Sequence, residues 1–373
     1  MCMILLTPGP TPVPESIRQA MATPTIHHRT PEFEAIFAST RTKLLDLFNM
    51  PEVLMLGSSG TGAMEAAVTN LCNTKILTIA AGKFGQRFGK IAKAHGLENI
   101  ELSYEWNEPA KIADINKVLD ENPDIDAIAI QISESAGGLR HPVESIAKIA
   151  KAKNPNIMII ADGITAVGVE KIDTSYIDAL IAGSQKAFML PPGLAMLGLS
   201  DAAVTKINNG GAKGFYFNLS SEIKSQRKNT TAYTAVTTLI IGLGAILDEI
   251  YEGGLENLYH TTQKRHIATM GALTALDMLI YPNSPSLAMT TISMDNSDAL
   301  RKILKTKYGV NIAGGQDHLK NQIFRINNMG LIKEYEALWV VNAIELALDE
   351  MGLRKFDGSA SKTFNELFFG VNR

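Results

Sequence analysis

Four short stretches of this chain are apolar along nearly their whole length: Lys75-Ile-Leu-Thr-Ile-Ala80, Asp126-Ala-Ile-Ala-Ile-Gln-Ile132, Asn156-Ile-Met-Ile-Ile-Ala161 and Ile177-Asp-Ala-Leu-Ile-Ala182. A strand with one wet face alternates apolar and polar residues, and these do not. Between the second and third lies Pro142-Val-Glu-Ser-Ile-Ala-Lys-Ile-Ala-Lys151, where Pro142 suits a helix start and Val143, Ile146, Ala147 and Ala150 share one helical face. Strands apolar on both sides and separated by amphipathic helices predict an α/β fold with a mostly parallel, doubly covered sheet. Ligands of such sheets bind beyond the carboxyl ends of the strands, where Ser133-Glu-Ser-Ala-Gly-Gly138 and Asp162 fall.

At 373 residues the chain is long for one core, so two domains are expected. From about residue 285 the pattern restarts: Ser286 to Met294 is strand-like, Ser297 to Lys307 an amphipathic helix, Gln322 to Ile326 a strand, and Leu331 to Leu353 a helix. The division expected is an arm over 1–15, a large domain over 16–260 and a small α+β domain over 261–373. The boundary lies within a helical region over 237–285 that Gly253-Gly254 interrupts. Thr7-Pro-Gly-Pro-Thr-Pro-Val-Pro14 is too rich in proline for a helix or central strand and makes the arm extended.

Hydrophobic content of 46% with charged content of 20% is that of a folded protein, and a net charge of −3 gives no electrostatic reason to expect nucleic acid. No stretch approaches the roughly 20 apolar residues of a membrane span. The first residues lack the basic start and long apolar run of a secretory signal, and Cys2 and Cys72 cannot make a disulfide framework, so the cytoplasm is expected. Cys72, in an apolar helix, reads as an inert core thiol. His27-His28-Arg29 lacks a third ligand, and adjacent histidines point apart, so no metal is expected.

The stretch richest in chemistry is Ala182-Gly-Ser-Gln-Lys-Ala-Phe-Met-Leu-Pro-Pro-Gly193, which joins two apolar runs. An amine held there near the interior loses its charge more readily and can act as a Schiff-base nucleophile, unless its ammonium simply snorkels to water. Leu54 to Asn70 passes from a strand, through a Gly/Ser/Thr loop, into an Ala-rich helix beginning near Thr61. Such a junction aims free N–H groups and a helix dipole at one point and suits a phosphate, although a capped helix would read the same. It is neither a P-loop nor a G-x-G-x-x-G fingerprint. Asp162, ending a buried strand, requires either a cationic partner or a helix to cap, and Gly163-Ile-Thr-Ala follows it. Arg325 sits among isoleucines and is either a carboxylate clamp or a surface strand residue.

Ser184-Gln185-Lys186 followed by Pro191-Pro192-Gly193 resembles the lysine loop of class V pyridoxal-phosphate aminotransferases, the group containing alanine–glyoxylate and serine–pyruvate aminotransferases. The likeness runs from Leu6-Thr-Pro-Gly-Pro-Thr to Phe324-Arg-Ile-Asn-Asn-Met-Gly330. It implies the fold type I of pyridoxal-phosphate-dependent transferases and a homodimer with shared active sites. It further implies that Lys186 forms the Schiff base and carries the α-proton, and that Asp162 pairs with the protonated pyridine nitrogen. Ser59, Gly60 and Thr61 would hold the phosphate. Phe84 takes the place of the usual stacked tryptophan. Ser135, Ile164 and Gln185 add cofactor contacts, Arg325 binds the substrate α-carboxylate, and Gly9 touches substrate from the arm. Spacing from Gly254-Leu-Glu-Asn257 aligns Thr231 and Thr234 with the residues that reach the neighbouring subunit's cofactor.

The implied reaction is transamination between alanine or serine, with aspartate a further donor, and glyoxylate, pyruvate or 2-oxoglutarate. A second arginine for aspartate would come from Arg29, Arg87, Arg140 or Arg227. A desulfurase or other lyase is the first rival. Desulfurases of the wider group use a loop cysteine after the lysine and usually a histidine before it, whereas Gln185 precedes Lys186 and no cysteine follows Cys72. A non-catalytic binding protein of this fold is the second, and retention of Lys186, Asp162 and Arg325 argues against it. Gly210 to Asn218 is expected to be a mobile or substrate-facing loop.

Overall fold

The computed structural model describes residues 3–211 and 213–370, so Cys2 and Ala212 of the glycine-rich loop lie outside the described residues. The strands are β1 (Ile4–Leu6), β2 (Glu52–Leu56), β3 (Lys75–Ala80), β4 (Glu98–Ser103), β5 (Ala127–Gln131), β6 (Ser133–Glu134), β7 (Leu139–Arg140), β8 (Met158–Asp162), β9 (Ala179–Gly183), β10 (Ala195–Leu199), β11 (Leu279–Ile280), β12 (Met289–Ser293), β13 (Val310–Gly314) and β14 (Ile323–Asn327). Seven of them form one sheet in the order β2-β10-β9-β8-β5-β3-β4. Strands β4, β3, β5, β8 and β9 run parallel, while β10 is antiparallel to both of its neighbours. The segment from Ser184 to Leu194 is too short for a crossover helix, so the chain turns straight back and the lysine loop becomes a reverse connection at the carboxyl end of β9.

Period-two alternation along these strands feeds two separate cores. Leu77, Ile79, Ile128, Ile130 and Ile159 face α1 (Glu15–Met21), α2 (Pro31–Phe48) and their neighbours, whereas Ile76, Ala127, Ala129 and Ile160 face α3 (Gly60–Leu71) and α4 (Gly85–Ala94). The first face is completed by α5 (Ile112–Glu121) and α6 (Val143–Lys153), the second by α7 (Asp201–Lys206) and α8 (Leu219–Gln226). Burial on both faces is what the continuous apolar runs require.

The predicted helical region splits at Gly254, whose φ of 84° suits glycine, into α9 (Thr237–Gly253) and α10 (Leu255–Thr274). Helix α9 packs on α1 and α2, and α10 joins α11 (Ser297–Lys307), α12 (Glu334–Glu350) and α13 (Ser359–Phe369) over the second sheet. That sheet has the order β1-β13-β14-β12-β11. Strand β1 comes from the start of the chain and pairs in parallel with β13, a long-range pairing that precedes the proline-rich arm. No described helix is long and apolar enough to cross a membrane, and the described residues hold no cluster of three metal-ligating side chains.

Candidate active site

The lysine loop is closed by Ser184. Its N–H donates to Leu194 O at 2.9 Å, and its hydroxyl donates to Pro191 O at 2.7 Å and accepts from the Leu194 N–H at 3.3 Å. The arm lies across this loop: the Thr11 N–H donates to Gln185 O at 3.1 Å and the Thr11 hydroxyl to Lys186 O at 2.7 Å. Lys186 Nζ donates to Pro8 O at 2.5 Å. Gly9, at φ 124°, is required by this approach, since a Cβ there would lie 2.5 Å from Lys186 Nζ. Burial pulls the Lys186 amine down to about 8, with Asp162 opposing and Arg325 adding to the shift.

Asp162 ends β8, in register with Gln131 on β5 and Ile181 on β9. The residues after it make turns rather than a helix, which removes the capping alternative; Oδ1 accepts instead from the Ile164 N–H at 2.9 Å. Burial pushes this carboxyl up to about 6, against the pull of the Ile164 N–H and of the Arg87 and Lys186 charges.

Helix α3 begins at the next loop, with Ser59 in extended backbone at its N-cap and no side chain capping its free N–H groups. Ile164 closes over this end: a Cβ on Gly60 would fall 2.2 Å from Ile164 Cδ1. Thr61 Oγ1 accepts from Arg87 Nη1 at 2.8 Å, and the Arg87 guanidinium carbon stands 4.7 Å from the Phe84 ring centroid. Phe84 is half-buried just ahead of α4. Gln185 Oε1 is buried with no partner among the described residues.

Arg325 on β14 is buried, which excludes the surface alternative. Its Nε and Nη2 donate to Gly314 O at 3.1 and 2.6 Å, and Nη1 donates to Ser135 O. Each terminal nitrogen keeps one further N–H. Burial lowers this guanidinium to about 10. Beside it lies Glu134, a residue the sequence reading passed over. Its fully buried carboxylate accepts from the Phe84, Gly85 and Ala136 N–H groups at 3.0, 2.8 and 3.0 Å, and burial raises it to about 7. The only sequence signal was an acid inside the predicted strand-end segment; its partners are backbone groups of its own loop and of the start of α4, which no side-chain pattern reveals.

Thr231 and Thr234 do not join this group within the chain. They line a small cleft with Gly57, Tyr216 and Tyr233, and Thr231 Oγ1 donates to Tyr233 O at 2.5 Å. The glycine-rich loop presents Phe215, 81% exposed, and stacks Tyr216 on Tyr233 at 5.5 Å. Of the arginines considered for a second carboxylate, Arg140 is paired with Glu144 and Glu170 and Arg227 with Glu52, while Arg29 is exposed. A separate cleft of about 750 Å³, lined by Met189, Ile250, Leu258, Arg265 and Leu331, lies between α9, α10 and the segment after β14.

Residues 8–332 match the family Aminotransferase class-V. The chain therefore belongs to this family, has fold type I of the pyridoxal-phosphate-dependent aminotransferases, and is an aminotransferase. It is 50% identical to an uncharacterized aminotransferase of Helicobacter pylori (strain ATCC 700392 / 26695), covering 99% of this chain and 100% of that one. It is 28% identical to the serine–glyoxylate aminotransferase of Hyphomicrobium methylovorum, covering 98% and 94%. The crystal structure of a subgroup IV aspartate aminotransferase from Thermus thermophilus superposes with a TM-score of 0.87 at 30% identity, covering 93% and 99%.

Proposed function

We propose that this aminotransferase moves an amino group between a small amino acid and a 2-oxo acid on pyridoxal 5′-phosphate. Alanine or serine with glyoxylate or pyruvate is the first pair, and aspartate with 2-oxoglutarate the second. The observation that carries the reading is that Lys186, in the loop after β9, and Asp162, at the end of the adjacent parallel strand β8, lie close enough for each charge to act on the other, while Ile164 beside Asp162 packs over the uncapped start of α3. The surroundings fit that cofactor: free N–H groups for a phosphate, a buried acid for a ring nitrogen, and the orphaned Gln185 oxygen.

When bound, pyridoxal phosphate supplies an aldehyde and an electron-withdrawing ring. Ser59, Gly60 and Thr61 would bind its phosphate, and Phe84 and Ile164 would hold the ring from its faces. Asp162 would hold the proton on the ring nitrogen, where its carboxylate is most useful above its titration near pH 6. Lys186, whose amine is largely free above pH 8, would bond the aldehyde and, once released, carry the proton from the substrate α-carbon. Arg325 would turn its remaining N–H groups to the substrate carboxylate, beside Ser135 and Gly9. The serine–glyoxylate relative supports the first pair and the aspartate aminotransferase the second. Pairing of Arg140 and Arg227 with carboxylates favours the first.

The rival desulfurase chemistry lacks its loop nucleophile, since no cysteine follows Lys186 in the sequence and, among the described residues, Cys72 is buried and donates to Asp126 Oδ1 at 3.0 Å. A free thiol there suits the cytoplasm. The same reading makes the protein a homodimer whose partner copy would bring Thr231 and Thr234 to each phosphate. It also keeps the division into an arm over 1–15, a large domain over 16–260 and a small domain over 261–373, with the boundary inside α10, whose Leu255 and Leu258 pack on the core of the large sheet and Ala268 and Ala272 on that of the second sheet. The test is a panel of amino acids added singly to the cofactor-loaded protein. Alanine or serine should convert the visible band to that of the aminated cofactor; conversion by none would sink the transamination reading.

A further inference from the structure

Arg87 lies in the first turn of α4 and is half-buried. One terminal nitrogen reaches Thr61 Oγ1 at 2.8 Å, across the gap to α3, and its guanidinium covers the Phe84 ring at 4.7 Å. A planar cation can do both at once, hydrogen bonding in its plane and stacking through its face. No ion pair within 4 Å is formed by Arg87 among the described residues, in contrast to Arg140 and Arg227. Its unneutralised charge nevertheless acts on Asp162. One side chain thus links the start of the predicted phosphate cradle, the predicted ring-stacking residue and the acid at the end of β8.

Resting on the pyridoxal phosphate reading above, we propose that Arg87 is a positioning residue for the cofactor. It holds Thr61 and Phe84 in one frame and keeps a positive charge beside Asp162, and it is not the second arginine of a dicarboxylic substrate site. Its contacts are with α3 and the Phe84 ring, whereas Arg325 bonds Gly314 and Ser135. The charged and titratable groups acting on Asp162 are Arg87 from α4, Lys186 from the lysine loop and Glu134 from β6. Removing the first leaves Asp162 easier to protonate, so a cofactor held through its ring nitrogen is released at a higher pH as the solution is acidified.

The test compares the full-length protein with Arg87→Met and Arg87→Lys. Three quantities are read: the dissociation constant for pyridoxal 5′-phosphate from the visible band, the pH at which that band is lost on acidification, and the amino-acid panel. Arg87→Met should bind the cofactor about tenfold more weakly and lose it at higher pH. Arg87→Lys should restore the acid limit but only part of the affinity, because an ammonium cannot stack and bridge as a planar group does. A merely structural role would not let a charge-retaining variant restore the acid limit alone. If Arg87→Met and Arg87→Lys bind the cofactor as the unaltered protein does, or lose only conversion by aspartate or glutamate, the inference is overturned. If the unaltered protein forms no visible band at all, the functional reading falls and takes this inference with it. Should Arg87→Met not fold, the Arg87→Lys result decides.

Discussion

The amino ends and the carboxyl ends of the parallel strands in the large sheet treat charge in opposite ways. At the amino ends, Lys75 opens β3 with Glu98 at 2.9 Å and Asp124 at 3.2 Å. Asp126, ahead of β5, takes the Asn73 and Thr74 N–H groups at 2.8 and 3.2 Å. Asp178, ahead of β9, takes the Ile159 N–H at 2.8 Å, the Ser200 hydroxyl at 2.8 Å and Lys151 Nζ at 2.6 Å. At the carboxyl ends, Lys186, Asp162, Glu134 and Arg325 share one buried region, and none of them forms an ion pair within 4 Å among the described residues. Burial dominates there and pushes every one of the four toward its neutral form. The lesson is that charges are paired at one end of the strands and left without ionic partners at the other, which under the proposed function is the end where cofactor and substrate bind.

Breaking the carboxyl-end group should have the largest effects. Lys186→Ala should lower turnover by at least about a thousandfold and remove the lysine-linked chromophore, read in stopped-flow assays and the visible spectrum. Asp162→Asn should cost about a hundredfold in turnover, consistent with leaving a buried charged partner unpaired. Gly9→Ala comes next, with roughly a tenfold loss in turnover, because its Cβ must displace the lysine amine and its positive φ is strained. Chemical denaturation would show whether that variant keeps its fold.

The pH dependence of the cofactor-free protein sharpens the contrast between the two lysines. Lys186 has a folded pKa of about 8, below the unfolded value near 10.4, so the unfolded chain binds the extra proton between them. Stability should therefore rise with pH across that window, by on the order of 3 kcal/mol from this group, and subtracting the Lys186→Met curve isolates it. Lys75 is raised instead, chiefly by its bond to Glu98, so its contribution is full below the unfolded pKa and is lost as pH climbs through the folded one. Glu98→Gln should change melting only slightly and leave cofactor binding untouched, the smallest effect of the series.

What was legible in the sequence is what rests on local pattern. Unbroken apolar runs announced four of the five parallel strands, while the half-exposed edge strand β4, Glu98-Asn-Ile-Glu-Leu-Ser103, carries no such run; the residues of the lysine loop, the α3 start, Asp162 and Arg325 were each legible singly. Strand β1 was missed because three residues beside a proline-rich arm carry no period, and their partner β13 is remote in sequence. Strand β10 reads as apolar in either direction; its reversal comes from the shortness of the loop before it. Glu134 was not singled out, and Arg87 was named only as a candidate second arginine for a dicarboxylic substrate. The contacts that give them their roles, the backbone N–H groups at the start of α4 for Glu134 and the Thr61 hydroxyl on α3 for Arg87, lie on other elements and leave no spacing signature.

The central claim is most directly tested by incubating the protein with pyridoxal 5′-phosphate, reducing with borohydride and locating the label by peptide mass spectrometry. A single phosphopyridoxyl group, on Lys186, is expected. A label on a surface lysine, with Lys186 unmodified, would contradict it.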